Sequence, residues 1–321
     1  MYRRDVISSL IVGSAGVLAG CVGSGGCHGG TDVRFEPVDA TAIADERATA
    51  DFEDTPATRA DLATRALEGD EPTIEVTRGS PLGWLEYVDW EGTFYQLTTE
   101  TVAEGGVSGP EYELSRDREV DDAELTSEDA LSYADLPTHD RWRVAEAVDF
   151  APEQVESMGL SSSLVAGYLE SDDQDASVLA AGVDEPHLEI EGGYVELEKL
   201  GERTTTAERL RYGREHVADD VEAFADHVLE RRGAEFPEAS ADAHALLEEA
   251  RDEGGRVTVC DHDLEDDDWD EEEAAARREA LEELRTILGD LEPGGEASSE
   301  RVEYVRYEDE WHRIELSGWA V

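Results

Sequence analysis

The sequence predicts an α+β fold made of three degenerate units, each a helix followed by a strand and a β-hairpin. Two observations carry this prediction. A hairpin pattern occurs three times: Leu85-Glu86-Tyr87-Val88-Asp89-Trp90-Glu91-Gly92-Thr93-Phe94-Tyr95-Gln96-Leu97 returns between Val302 and Ile314, and a shorter copy runs from His187 to Leu197. A helical apolar pattern, introduced by an aromatic residue and a proline, precedes each copy.

An extended segment with alternating residues opens each unit: Val33-Arg34-Phe35-Glu36, Tyr112-Glu113-Leu114-Ser115 and Glu208-Arg209-Leu210-Arg211-Tyr212. The helices come next. Phe52-x-Asp54-x-Pro56 leads into Leu62, Ala66 and Leu67; Tyr133-x-Asp135-x-Pro137 leads into Arg143, Ala147 and Val148; Phe236-Pro237 leads into Leu246 and Ala250. Asp or Ser ahead of the apolar positions supplies an N-cap, and proline fits the first turn.

Parity fixes the hairpins. With residues 91 and 92 in the turn, Trp90 faces Thr93, Val88 faces Tyr95 and Glu86 faces Leu97, so Val88, Trp90, Tyr95 and Leu97 share one face. Leu188, Ile190, Val195 and Leu197 do the same in the middle copy, as do Val305, Tyr307, His312 and Ile314 in the last. The opposite face pairs Tyr87 with Phe94, His187 with Tyr194 and Tyr304 with Trp311. Such residues read either as core beneath a covering element or as a row of platforms for a ligand such as a glycan. On the second reading Tyr87, Phe94, Tyr194 and Trp311 are the ligand-facing aromatics.

Two insertions are helical. Val217, Val221, Phe224, Val228 and Leu229 form one stripe over 214–232, and a second helix over 271–288, capped by Asp270 and ended by Gly289, has few apolar positions and reads as a surface element. The acidic run from Asp261 to Glu273 reads as a solvated loop; it has calcium-loop spacing, but Asp266 stands where the sharp turn needs glycine.

Composition sets the ionic environment. There are 81 Asp and Glu against 26 Lys and Arg, a net charge of −55, and Lys199 is the only lysine. Such a chain repels itself in dilute buffer, whereas at molar salt the Debye length falls to about 3 Å and the repulsion is screened. The pattern is that of a protein made for brine. Nucleic acid is excluded as a partner class, because phosphate neutralisation needs clustered Lys and Arg. No Gly-x-Ser-x-Gly elbow, phosphate loop, dinucleotide fingerprint or His-Glu-x-x-His motif occurs, no cofactor is implied, and 81 acidic residues make paired carboxylates uninformative. His216 and His227 would sit three helical turns apart, about 16 Å, too far to share a metal. His139, His244 and His312 lack a partner at ligand spacing and read as structural.

The N-terminus carries an address. Arg3 and Arg4 precede an apolar stretch from Val6 to Leu18, which ends in Leu18-Ala19-Gly20-Cys21. These residues resemble the signal of haloarchaeal lipoproteins exported by the twin-arginine route, and beyond residue 21 the resemblance is compositional. It implies cleavage before Cys21 and a two-chain glycerol lipid on its sulfur, enough to hold a protein on a membrane where a single chain is marginal. Cys27 and Cys260 then remain in an oxidising exterior. They pair with each other as a disulfide, or serve with His28, Asp261, His262 and Asp263 as metal ligands, although neither cluster has the spacing of a closed site.

The expected organisation is a signal peptide over 1–20, a lipid-attached flexible tether over 21–50, and α+β units over 51–130, 131–232 and 233–321. The expected function is non-catalytic binding or organisation at the outer face of the cell membrane, on a ligand or partner protein that the sequence does not name. A secreted hydrolase with a site assembled from scattered residues is the alternative.

Overall fold

The computed structural model describes residues 29–53, 55–115, 130–149, 151, 161–183, 187–190, 193–260, 271–291 and 301–320. Its strands are β1 (Gly29–Pro37), β2 (Ala48–Thr49), β3 (Thr73–Val76), β4 (Tyr87–Trp90), β5 (Thr93–Ser115), β6 (Ala130–Ser132), β7 (Ser161–Val165), β8 (His187–Ile190), β9 (Gly193–Ala218), β10 (Gly233–Glu235), β11 (Arg256–Cys260), β12 (Tyr304–Tyr307) and β13 (Glu310–Ala320). The helices are α1 (Ala40–Arg47), α2 (Ala57–Glu68), α3 (Thr138–Ala147), α4 (Ser171–Ala176), α5 (Val178–Ala181), α6 (Val221–Arg232), α7 (Ala241–Asp252) and α8 (Glu271–Asp290). The α+β class is therefore as predicted. The described residues divide into two compact units, one within 29–36, 237–290 and 313–320, the other within 37–236 and 291–312. Among the described residues no helix is long and apolar enough to cross a membrane.

In the smaller unit β1 pairs antiparallel with β11, from Gly30 opposite Cys260 to Arg34 opposite Arg256. This corrects the expectation of a flexible tether reaching residue 50: strand begins at Gly29, because Val33 and Phe35 are fully buried and Phe35 donates its N–H to the Gly255 carbonyl. Burial works against the charged form of Asp32, but hydrogen bonds from Thr258, Arg256 and Trp319, with the charge of Arg256, outweigh it and hold the carboxyl below its ordinary range. The helix α8 is also corrected. Its Ala274, Ala280, Leu281 and Leu284 are buried, since small alanines widen the apolar stripe that the leucines alone left narrow. Arg277 binds Glu249 of α7, and Glu283 accepts from Ser240, the N-cap of α7.

The larger unit is built on a ribbon. Strands β5 and β9, 23 and 26 residues long, pair antiparallel from Phe94 opposite Ala218 to Ser115 opposite Glu196. The first and middle hairpins each use one end of it. Strand β4 joins β5 with Val88 opposite Tyr95 and Trp90 opposite Thr93, and β8 joins β9 with Leu188 opposite Val195, the registers that parity predicts. Glu91 and Gly92 both take positive φ (56° and 84°), which matches the twist of a two-residue hairpin turn. The short strands β2, β6 and β10 run parallel to β4, β8 and β12, and β3 and β7 pair antiparallel with β9 and β5.

The ribbon overturns one helix. Residues 214–218 belong to β9, with His216 opposite Tyr95, and α6 begins only after Asp220, whose side chain accepts from the Ala223 N–H. Val217 fits the helical stripe by spacing alone; the long ladder with β5 outweighs it. His216 and His227 therefore sit on different elements, and His216 bonds Asp219 at 2.9 Å.

Among the described residues three apolar clusters lie in this unit. The ligand-facing reading of the hairpin aromatics fails at the first. Tyr87 and Phe94 are 1 % exposed, and Phe224 of α6 covers them, stacked on Phe94 at 4.2 Å and edge-on to Tyr87 at 5.2 Å. Trp311 packs half-buried against the same cluster, with its ring at the Gly233 backbone, while Tyr194 is half-buried and outside it, so the four form no common row. The helix α2 packs Leu62, Ala63 and Ala66 with Ile74, Val76, Leu210 and Tyr212, and α3 packs Val144, Ala147 and Val148 with Tyr112, Leu114, Leu188 and Val195.

Tyr212 makes the packing testable by pH. Burial, partly offset by the Ser80 hydrogen bond at 3.0 Å, pushes its phenol up to about 12. The folded state therefore keeps a proton that the unfolded state loses near its ordinary value of 10.0, so this stability is complete below pH 10 and is lost as pH rises toward 12. Tyr212→Phe is expected to lose less melting temperature between pH 9 and pH 11 than the wild type; an equal loss in both would show that the phenol is solvated.

Candidate functional site

The polar centre of the larger unit is the inner face of α3. Pro137 starts this helix with its fixed φ, and Asp140, Arg143 and Glu146 follow at i, i+3 and i+6, on the same side as Val144 and Ala147. All three charged residues are buried. A buried charge needs a countercharge or hydrogen bonds: Arg143 and Glu146 pair with each other, and Asp140 is held by hydrogen bonds.

Arg143 spans two carboxylates. Its Nη1 donates to Glu146 at 3.1 Å, and its Nη2 donates to Glu75 and to the Gly167 carbonyl, both at 3.0 Å. The guanidinium carbon lies 5.2 Å from the centre of the Tyr168 ring. Glu146 further accepts from the Thr77 N–H at 2.6 Å, the Thr77 hydroxyl at 2.9 Å and the Arg78 N–H at 2.5 Å. Glu75 accepts from the Leu169 N–H and from Arg209, which also binds Glu170 at 2.6 Å and Asp173 at 3.4 Å.

Asp140 fixes the segment that follows. It accepts from the Tyr168 hydroxyl, the Ser177 hydroxyl at 2.6 Å and the N–H groups of Val178 and Leu179 at 2.8 and 3.3 Å. Burial and the neighbouring Asp140 charge drive the Tyr168 phenol far above its ordinary value, so it remains a donor. These bonds tie α3 to α4 and α5, whose acidic first turn carries Asp172 and Asp173.

Two clefts open beside the start of α3. One, of about 470 Å³, is lined by Thr73, Glu75, His139, Trp142, Asp173 and Arg209 among others. The other, of about 390 Å³, is lined by Thr58, Asp61, Arg65, Tyr133, Arg141 and Trp142 among others. Thr138 and Trp142 belong to both, so the indole divides one groove at the start of α3. In the first cleft His139 packs edge-on to Tyr168 at 4.9 Å, with its Nδ1 3.6 Å from Asp173 and its Nε2 3.8 Å from Asp140. An aromatic wall flanked by hydroxyls, carboxylates and guanidinium groups suits a polar ligand with a ring or an apolar body.

The residues named from sequence lie elsewhere. Arg3, Arg4, Cys21 and Cys27 fall outside the described residues, as do the acidic loop 261–270 and its metal alternatives. Cys260 is disulfide-bonded, so its sulfur is not a thiolate ligand. Among the described residues no group of three or more His, Cys, Asp or Glu is arranged to hold a metal ion. His312 is buried with its Nδ1 3.2 Å from the Glu310 carbonyl. Trp142, Arg141 and Arg65 were not singled out by sequence. The one available signal was Arg143, which stands in its helix where α2 has Leu62. No protein-family model, curated protein or solved structure matches this chain.

Proposed function

We propose that this chain is an exported, lipid-anchored, salt-adapted protein of the cell surface that works by binding, and that the groove divided by Trp142 is its ligand site. The observation that carries the binding role is the aromatic wall of that groove with its hydroxyls, carboxylates and guanidinium groups, set on a helix that a buried polar network fixes in place. Asp140 and Glu146 each accept four hydrogen bonds and Arg143 is clamped between two carboxylates, so these groups hold a preformed shape instead of being free to react. The disulfide at Cys260 supports an oxidising exterior. We assign Cys27 as its partner, since Gly30, three residues on, lies opposite Cys260, and this leaves Cys21 for the lipid.

The alternative of a secreted hydrolase draws on His139, whose ring nitrogens each have a carboxylate within 4 Å in a cleft. It requires that His139→Gln abolish a turnover that the wild type displays.

The test of the proposal is intact mass and cell fractionation of wild type and Cys21→Ser in a host grown at high salt. The wild type is expected on the membrane, cut before Cys21 and heavier by a lipid, and the variant off it. An uncut, unmodified chain in the cytoplasm would overturn the surface reading.

A further inference from the structure

The cleft between α2 and α3 has the opposite electrical character from the chain around it. Against a net charge of −55, its charged lining is Arg65 and Arg141 with Asp61 alone. Elsewhere many arginines are held by acids, as Arg59 by Asp149, Arg203 by Glu111, Arg211 by Glu100 and Arg232 by Glu86 and Glu303, while Arg78 and Arg214 are held by carbonyl oxygens of Ser163 and Leu67. Arg141 forms no ion pair among the described residues. Its Nη2 reaches the Thr138 hydroxyl at 3.3 Å, and its Nε is buried without a hydrogen-bond partner. Among the described residues Arg65 pairs with Asp70 alone, at 3.9 Å. In a chain with three acids per base, a guanidinium without an ion pair, beside a second one held only at 3.9 Å and next to a cavity, marks a place for an anion from outside.

The walls narrow the class. Trp142 and Tyr133 offer ring faces, and Thr58 and Thr138 offer hydroxyls. Both helices enter the cleft after a proline N-cap that supplies no capping side chain, and helix N-termini favour negative charge. In brine the field of an arginine is screened within a few ångström, so a bound anion must be held by contact. A carboxylate matches the guanidinium fork, and a ring beside it gains the aromatic wall; an inorganic ion gains only the first.

We infer that this cleft binds the carboxylate of a ring-bearing acid, with acidic sugars as the ligand class: the carboxylate on Arg141 and Arg65, the ring against Trp142, the hydroxyls on Thr58 and Thr138. The inference rests on the surface-binding reading and specifies its ligand.

The experiment is a tryptophan-fluorescence titration of the full chain at high salt with glucuronate, glucose and sulfate. Saturable binding of glucuronate but not glucose is expected, weakened tenfold or more in Arg141→Met. Arg65→Gln, whose side chain is already 43 % exposed, is a second variant expected to keep the fold and lose affinity. No saturable binding of glucuronate by folded wild type, equal affinity in both variants, or sulfate binding as tightly as glucuronate would each overturn it. A lipidated surface protein that fails this titration loses the ligand class and keeps the surface reading; a cytoplasmic protein that passes does the reverse.

Discussion

Arg143→Ala is expected to lower the stability of the larger unit by about 3–5 kcal/mol, the range for breaking a buried ion pair by removing one partner. The change strips Glu75 and Glu146 of their shared countercharge and orphans the Gly167 carbonyl, while the two carboxylates stay buried. Chemical denaturation, read as the shift in midpoint at constant slope, measures it. The triple exchange Arg143→Met, Glu75→Gln, Glu146→Gln is expected to recover part of the loss, because it removes the stranded charges along with their partner. A cost below about 1 kcal/mol for Arg143→Ala would place the network in solvent.

Gly109→Ala should be comparably harmful for a steric reason. A Cβ at Gly109 would stand 2.0 Å from the Ala166 oxygen and 2.6 Å from its carbonyl carbon, both backbone atoms that no rotamer change can move. Here β5 passes close to the residue after β7, and the Ala166 N–H donates to the Pro110 carbonyl at 2.9 Å. Overpacking costs about 1–3 kcal/mol in a side-chain core, and against backbone the upper end is expected. Gly106→Ala is the matched control on the same strand, with nothing within 4 Å of the added carbon. It is expected to be neutral within about 0.5 kcal/mol. Equal melting temperatures for the two variants would refute the close approach.

The hairpins were legible because they obey a local rule. Period-two alternation and the turn residues at 91–92 fix register without reference to anything distant, and the first two hairpins have the registers so derived. The ribbon was illegible for the converse reason. The sequence from 98 to 111, with Gly105, Gly106, Gly109 and Pro110, is poor in strand formers, and only pairing with residues a hundred positions away makes it strand. The same partner claimed residues 214–218 from the helix their spacing suggested. The aromatic pairs were readable as a face but not as covered or open, because the cover, Phe224, comes from a helix more than a hundred residues on. The buried polar network beside the groove left almost no trace. Asp140, Arg143 and Glu146 at helical spacing look like an ordinary wet surface in a chain with 81 acids, and burial alone distinguishes them.

The paired strands β5 and β9 also constrain how such a molecule can be altered. Each is at once the return arm of one hairpin and the support for the strand that follows the other hairpin's helix, β7 lying on β5 and β3 on β9. Neither half can therefore be excised, duplicated or exchanged as a cassette without removing scaffold from its counterpart. Variation is free only in segments that join the strands, so lineages carrying this architecture should diverge by insertion and point change and not by shuffling whole copies.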